Sequence, residues 1–249
     1  MKLPEFTVII PARYNSTRLP GKLLQDIGGW PLIRHAYEAA IGSRATSVII
    51  ATDSPSVLKV AEQFCDQVEM TSPTHASGTD RVAEVVQKRG IPADRIIVNV
   101  QGDEYALPPA LIDQVAGLLA GDRLAVMATL CEPIHNEKEW LDPNVVKVVF
   151  GPDGAALEFS RRPIPHSAPG FVAGRAFRHI GIYAYRAGFL TEFTRLPSPE
   201  PERTERLEQL RALHQGCRIR VAQACAPAGI GIDTPADLER ARRLNARRD

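Results

Sequence analysis

The chain is short of several things, and each shortage removes a class of function. Only four of its 249 residues are cysteine (Cys65, Cys131, Cys217 and Cys225), and no two stand in a C-x-x-C spacing. That argues against a zinc site and, in a reducing compartment, against disulfides; the four read as small apolar residues. No apolar run approaches the ~20 residues needed to cross a bilayer. The start of the chain enters a strand-like run without the pattern of a secretory signal. A cytoplasmic protein with no membrane insertion is the expectation. An excess of one charge is also missing: 30 Lys and Arg face 29 Asp and Glu, for a formal net charge of +1. Nucleic acid is therefore not an expected partner. The one basic stretch (Arg240, Arg242, Arg243, Arg247, Arg248) reads as the solvated face and end of a final helix. There is no internal repeat and no low-complexity linker.

What is present is an ordinary globular composition, 44% hydrophobic and 24% charged, enough for one large α/β domain or one domain with a sizeable insertion. The first half alternates strand and helix: strands at Phe6 to Ala12, Ser47 to Thr52, Gln67 to Met70 and Arg95 to Val100, helices at Pro31 to Ile41, Ser54 to Phe64, Arg81 to Lys88 and Pro108 to Leu119. That rhythm implies parallel strands. Ser77 and Asp80 form a capping-box pair ahead of the third helix. Beyond residue 120 the spacing changes. Strands at Leu124 to Leu130, Asn144 to Phe150, Ala155 to Ser160 and Arg178 to Tyr185 are separated by turn signals, with too little between the second and third for a crossover helix. Antiparallel pairing is expected there. The proline-rich stretch from Arg162 to Arg175 reads as a loop, Gly188 to Arg195 and Arg203 to Gln215 as helices, Arg218 to Ala224 as a strand and Pro235 to Ala246 as the closing helix. The reading is one α/β domain with an inserted, mainly antiparallel second lobe.

Chemistry is concentrated where strands end. The first strand runs into a loop carrying Arg13, Arg18 and Lys22 beside Gly21, either a solvated basic loop or a cradle for a triphosphate's roughly four negative charges. Lys22 is placed to meet charge building on a phosphorus under attack. Asp103 follows the end of the strand at Arg95 to Val100, where a carboxylate can reach a Mg²⁺ ion that takes one or two carboxylates plus phosphates and waters. Ligands in open parallel sheets bind beyond the carboxyl ends of the strands, so the two loops should share a crevice. Asp233 is the candidate partner. Thr234, Pro235 and Asp237 already account for a helix start, which leaves Asp233, behind Gly229 and Gly231, as a metal ligand or an extra helix-start acid.

Taken together, Pro11-Ala12-Arg13, Ser16 to Lys22, Ser77-Gly78-Thr79-Asp80-Arg81, Asn99-Val100-Gln101-Gly102-Asp103-Glu104, Asn144 to Val148, Phe159-Ser160-Arg161, Arg178 to Tyr183, Leu207 to Arg211 and Asp233-Thr234-Pro235 resemble the 3-deoxy-manno-octulosonate (Kdo) cytidylyltransferases over nearly the whole chain. The resemblance implies a Rossmann-like nucleotidyltransferase with a mixed, mainly parallel sheet, in which residues of roughly 131–224 form a sugar-binding and dimerisation lobe. It implies CMP transfer from CTP to Kdo with Mg²⁺, for lipopolysaccharide or capsule synthesis, in a homodimer. Arg13, Lys22, Asp103 and Asp233 would be catalytic, the two aspartates as metal ligands. Ala12, Arg13, Arg18, Lys22, Thr71, Ser77 and Gly78 would hold the nucleotide. Arg161 would clamp the sugar carboxylate, and Gln101, His179, Tyr183, Glu208 and Gln209 would bond the sugar hydroxyls; the adjacent Glu208 and Gln209 cannot share one helical face, so only one of them is expected to face inward. Three places depart from the family pattern: Tyr105 stands where a proline is usual, Glu158 where a tyrosine is, and Glu200-Pro201-Glu202 alters a Ser-Pro-Leu-Glu run. The alternatives are a cytidylyltransferase for a related acceptor, such as amino-Kdo or another ulosonic acid, and a catalytically silent nucleotide-binding paralogue.

Overall fold

In the computed structural model the described residues are 4–14, 16, 18–166 and 170–246. Asn15 and Thr17 of the opening loop, part of the proline-rich stretch and Arg247 and Arg248 of the basic end lie outside them. The first run, Phe6–Ala12, forms β1 and is buried along its whole length. Its side chains alternate between two cores. Val8, Ile10 and Ala12 join one apolar cluster, and Ile9 joins the other. A β-branched run that packs on both faces belongs in the middle of a sheet covered by helices, and each fully buried isoleucine contributes roughly 1.5–3 kcal/mol.

The sheet is built outward from β1. On one side stand β2 (Ser47–Thr52) and β3 (Val68–Met70), and on the other β4 (Ile96–Asn99); all three of these pairings are parallel. Helices α1 (Leu32–Ile41), α2 (Pro55–Ala61) and α3 (Gly78–Lys88) cross over between them, and α4 (Pro109–Ala120) follows β4. The long β8 (Phe177–Arg186) then runs antiparallel to β4. It also pairs antiparallel with β5 (Ala125–Pro133) and β6 (Lys147–Phe150), and β6 pairs antiparallel with β7 (Ala156–Ser160). The last strand, β9 (Arg218–Gln223), returns parallel to β5. All nine strands form one mixed sheet. The reversal at β8 sets the site: Tyr183 lies opposite Asn99, so the middle of an antiparallel strand stands beside the carboxyl end of a parallel one.

Most elements fall where the spacing predicts. Ser54 caps α2 by accepting from the Val57 amide, and Ser77 with Asp80 closes the capping box of α3. The helix expected over Arg203 to Gln215 is instead two pieces, α7 (Glu200–Glu205) and α8 (Gln209–His214), which follow α5 (Glu137–Leu141) and α6 (Ala187–Phe193). The cause is Arg206, left-handed at φ 55 and ψ 49. Glu202 spans the break, accepting from Arg211 Nε at 2.8 Å. Helix α5 escapes the hydrophobic pattern because it is a single turn started by the Asn136 cap. Closing the chain is α9 (Pro235–Asn245), with Thr234 and Asp237 as its capping box.

Candidate active site

Two glycines decide how the carboxylates meet. A Cβ on Gly102 would lie 3.0 Å from the Pro11 carbonyl and 2.9 Å from Ile33, and one on Gly229 would lie 2.4 Å from the Tyr105 carbonyl. Only glycine lets the backbones approach so closely. Gly102 draws the turn after β4 onto the end of β1, and Gly229 draws the segment before α9 onto residues 105–107. The contact is a short antiparallel ribbon, with Ile230 opposite Tyr105 and Gly231 opposite Glu104. It continues as the Ile232 amide donates to the Asp103 carbonyl at 3.0 Å. Residues 130 positions apart are thereby fixed side by side. Tyr105, where the family pattern has proline, reinforces this: it is buried and its hydroxyl donates to Asn245 Oδ1 at 3.1 Å, tying the ribbon to α9.

Lys22 lies between the two carboxylates. Its Nζ donates to Asp103 and, at 3.0 Å, to Asp233 Oδ1; Arg18 Nη2 pairs with Asp233 Oδ2 at 3.0 Å. Burial works against the Lys22 ammonium, but the paired Asp103 and Asp233 outweigh it and hold its pKa above the ordinary value. Burial likewise opposes ionisation of Asp233, yet Lys22 and Arg18 keep its pKa low. Glu104 has no such support. Burial and the charges of Asp103 and Asp233 push it up to about 7, against the pull of Arg178 and Lys22.

From this charged end a cavity of about 440 Å³ runs along the carboxyl ends of β1 and β4 to the face of β8. Its wall includes eleven of the residues expected from sequence: Arg13, Lys22, Asp103 and Asp233 at one end, Ser77 and Gly78 along the side, and Gln101, His179, Tyr183, Glu208 and Gln209 at the other. The far end is built for neutral hydrogen bonding. His179 Nε2 lies 2.8 Å from Thr129 Oγ1, and that hydroxyl reaches the carbonyl of Ile182 at 2.8 Å. A hydroxyl that donates to a carbonyl accepts from the ring, which assigns the proton to Nε2 and leaves Nδ1 as an acceptor. Burial depresses the His179 pKa to about 3, so the imidazole is neutral. The register slips between Ile180 and Tyr183 against β5, and because two residues are gained the parity survives. His179, Tyr183 and Tyr185 thus remain on one face, with ring centroids 5.2 and 5.8 Å apart.

Glu208 and Gln209 both line the cavity, which corrects the expectation that only one would. They sit at the start of α8 after the left-handed Arg206, not within a continuous helix, so the helical rule that separates neighbours does not apply. Glu208 Oε2 accepts from Thr79 Oγ1 at 2.6 Å, and burial raises its pKa. Gln209 is buried, and its Nε2 has no hydrogen-bond partner among the described residues.

Four expected residues stand outside the cavity wall. Ala12 is buried at the end of β1. Arg18 is an outer neighbour, reaching the site through Asp233. Thr71 is buried, with its hydroxyl donating to the Thr52 carbonyl at 3.0 Å. Arg161 is the larger departure. Its Nε donates to the Glu205 carbonyl at 2.7 Å and its Nη1 to the Pro143 carbonyl at 3.1 Å. Two of its nitrogens are thus engaged by backbone oxygens, which ties Arg161 to the turn after α7 and leaves Nη2 without a partner among the described residues.

Sequence reading also missed Arg81, almost fully buried on the cavity wall and paired to Asp53 at 2.7 Å. The other oxygen of Asp53 accepts from the Tyr14 amide at 3.2 Å, which ties the opening loop to α3. A signal was available: Arg81 sits on the apolar stripe of α3 with Val82, Val85 and Val86, and a charge there requires a partner.

The donor set at the charged end is carboxylate oxygen, which suits a hard divalent cation. Two carboxylates on the wall of an open cavity match how Mg²⁺ is commonly held, although no group of three ligating side chains occurs among the described residues.

Comparison with known proteins gives a consistent result. The model of the cytidylyltransferase family matches residues 7–219. A 3-deoxy-manno-octulosonate cytidylyltransferase from Cellvibrio japonicus is 50% identical over 96% of the chain and 97% of its own length. The enzyme of the same name from Vibrio parahaemolyticus is 51% identical over 98% and 99%. Among solved structures, a CMP:2-keto-3-deoxy-manno-octonic acid synthetase complexed with CTP superimposes with a TM-score of 0.91 at 41% identity, covering 99% of this chain and 100% of that one. A nucleotidyl transferase from Methanothermobacter, at 16% identity and TM-score 0.65, shares the fold.

Proposed function

The chain belongs to the 3-deoxy-manno-octulosonate cytidylyltransferase family, and from that membership we propose that it transfers CMP from CTP to the anomeric hydroxyl of Kdo. The hydroxyl oxygen bonds to the α-phosphorus, the bond from that phosphorus to the bridging oxygen of the β-phosphate breaks, and pyrophosphate leaves with the electron pair. The observation that carries the reading is a cavity with a Lys22–Asp103–Asp233 cluster at one end and a neutral hydrogen-bonding wall at the other.

In this reading Arg13, Arg18 and Lys22 bind the triphosphate. When it enters, the Lys22 ammonium exchanges carboxylate for phosphate oxygen and stabilises charge that builds at the α-phosphorus. Asp103 and Asp233 would hold Mg²⁺, which supplies charge neutralisation and alignment of the phosphate oxygens. Ser77, Gly78 and the backbone near Ala12 accommodate the base and ribose. Gln101, His179, Tyr183, Glu208 and Gln209 bond the sugar hydroxyls, with His179 Nδ1 as an acceptor. The unpartnered Gln209 amide supports that role, because a buried donor without a partner is costly unless a ligand completes it.

The three departures from the family pattern speak for the family's acceptor: Tyr105, Glu158 and the 200–202 run are all absent from the cavity wall. We further propose that residues of roughly 131–224, within a single nucleotidyltransferase domain, form the sugar-binding and dimerisation lobe; Leu157 on the edge strand β7, 64% exposed, is an apolar surface suited to a second copy. The product would feed lipopolysaccharide or capsule assembly in the cytoplasm. No helix among the described residues is long and apolar enough to cross a membrane.

The test is pyrophosphate release from CTP and Mg²⁺ across a panel of acceptors. Release with Kdo supports the proposal, release only with another ulosonic acid moves the acceptor, and CTP binding without turnover on any of them overturns it.

A further inference from the structure

Thr79 is a cavity-wall residue to which the expected site gives no role. It stands in the first turn of α3, just past the Ser77 cap, and is buried. Its hydroxyl donates to Glu208 Oε2 at 2.6 Å, joining residues 129 positions apart. The bond crosses from the start of α3, which carries Ser77 and Gly78, to the start of α8, which carries Gln209. Both partners line the cavity and their side chains meet there, so the Glu208 carboxylate itself lies at the wall.

The turn that delivers Glu208 is fixed at its root. Glu205 Oε1 accepts from Ser160 Oγ at 2.9 Å and Glu205 Oε2 from the Arg161 amide at 3.0 Å, while Arg161 Nε holds the Glu205 carbonyl at 2.7 Å. On the other side of Arg206 the Leu207 amide donates to the Glu202 carbonyl at 3.3 Å. These contacts set the backbone and leave the Glu208 side chain a choice of rotamers. Its own helix does not make that choice: Glu208 is the N-cap residue of α8, yet its carboxylate accepts no capping bond. The bond from Thr79 does.

Of the two hydroxyls at the start of α3, Thr79 is the one able to serve. Ser77 also acts on Glu208, but a serine has a single proton to give. That proton goes to Asp80 Oδ2 at 3.1 Å, and the Ser77 oxygen accepts from the Asp80 amide at 3.2 Å, within the capping box. Arg211 favours the Glu208 charge and Asp80 opposes it, while the Arg211 guanidinium is itself paired to Glu202. Glu208 is therefore held by one oxygen, and Oε1 has no hydrogen-bond partner among the described residues.

We propose that Thr79 is a positioning residue for the acceptor sugar: its hydroxyl holds Glu208 Oε2 so that Oε1 meets a sugar hydroxyl. The inference rests on the Kdo reading above, in which Glu208 bonds the sugar. A hydrogen bond to a carboxylate is of the stronger kind, and an oxygen already held in place gives up less freedom when its ligand arrives. One wall of the cavity thereby orients a binding group of the other.

Steady-state pyrophosphate release, with KM for Kdo and for CTP measured separately, tests it on the full chain. Thr79→Val keeps the outline of the side chain and removes its hydroxyl. KM for Kdo should rise about tenfold, the scale of one hydrogen bond to a charged group, with KM for CTP unchanged. Thr79→Ala, which cannot crowd its neighbours, should behave alike, and Thr79→Ser, which keeps the hydroxyl, should retain most of the affinity for Kdo. Glu208→Ala should raise KM for Kdo by itself, and adding Thr79→Val to it should raise KM no further, because a residue that acts through Glu208 then has nothing to position. An unchanged KM for Kdo in both Thr79→Val and Thr79→Ala overturns the assignment while leaving Kdo as acceptor. So does a loss in Thr79→Ser as large as in Thr79→Val, an equal rise in KM for CTP, or an additive effect in the double variant. No release from the unmodified enzyme with Kdo removes the acceptor reading and this assignment with it.

Discussion

The two ends of the cavity handle polarity in opposite ways. At the end proposed for the phosphates, charged groups stand in opposed pairs: Lys22 lies between Asp103 and Asp233, and Arg18 pairs with Asp233. At the end lined by His179 and Glu208, burial works against charge, depressing His179 to about 3 and raising the Glu208 pKa. In the proposed reading the difference follows from the ligand: a triphosphate would supply charge that can replace one partner of an ion pair, whereas sugar hydroxyls would supply only hydrogen bonds, which discriminate best where unpaired polar groups cannot be rescued by water.

The largest expected effect comes from breaking the charged end. Asp103→Asn removes a carboxylate that pairs with Lys22 and is proposed to hold the metal. Turnover should fall by about three decades or more at saturating Mg²⁺, with Tm changed by only a few degrees, since the core is untouched. Turnover within tenfold of the unmodified enzyme would sink the metal assignment. Second in size is Glu104, which has no hydrogen-bond or ion-pair partner for its side chain among the described residues. Its folded pKa of about 7 lies above the ordinary carboxylate value, so the folded state holds its proton more tightly. Ionisation therefore erodes stability as pH rises from about 4.5 to 7, by at most about 3 kcal/mol. Glu104→Gln should raise the metal-free protein's Tm at pH 8 and leave it unchanged near pH 4.5. Equal Tm values at both pH values would mean that the charged end balances Glu104 after all.

How legible the two ends were also differs. The phosphate end is written in local signals. The run Phe6–Ala12 reads as a buried strand, Asp103 follows a strand end, and Thr234 with Asp237 accounts for the helix start that leaves Asp233 over. The sugar end depends on long-range geometry. That Tyr183 stands beside Asn99 follows from the reversal of β8, which spacing could suggest but not register. Arg161 looked like an open fork because its partners, the carbonyls of Glu205 and Pro143, are backbone atoms that every sequence contains. The break at Arg206 was hidden because arginine is a good helix former, and only the tertiary clamps on Glu205 and Glu202 force it left-handed.

The smallest of these effects tests whether neutrality at the sugar end is functional. His179→Gln keeps a polar side chain but loses the ring that Phe159 and Tyr183 flank at centroid distances of 5.2 Å. KM for the sugar should rise about tenfold, equivalent to about 1.4 kcal/mol, with KM for CTP unmoved. A linked signature separates binding from folding. The folded pKa of about 3 lies below the ordinary histidine value of 6.5, so the unfolded chain takes up the proton first and stability declines as pH falls from about 6.5 towards 3. His179→Gln should lose that part of the acid slope. If the variant kept the full slope, the imidazole would be protonated in the folded protein, and the sugar end would be handling charge as the phosphate end does.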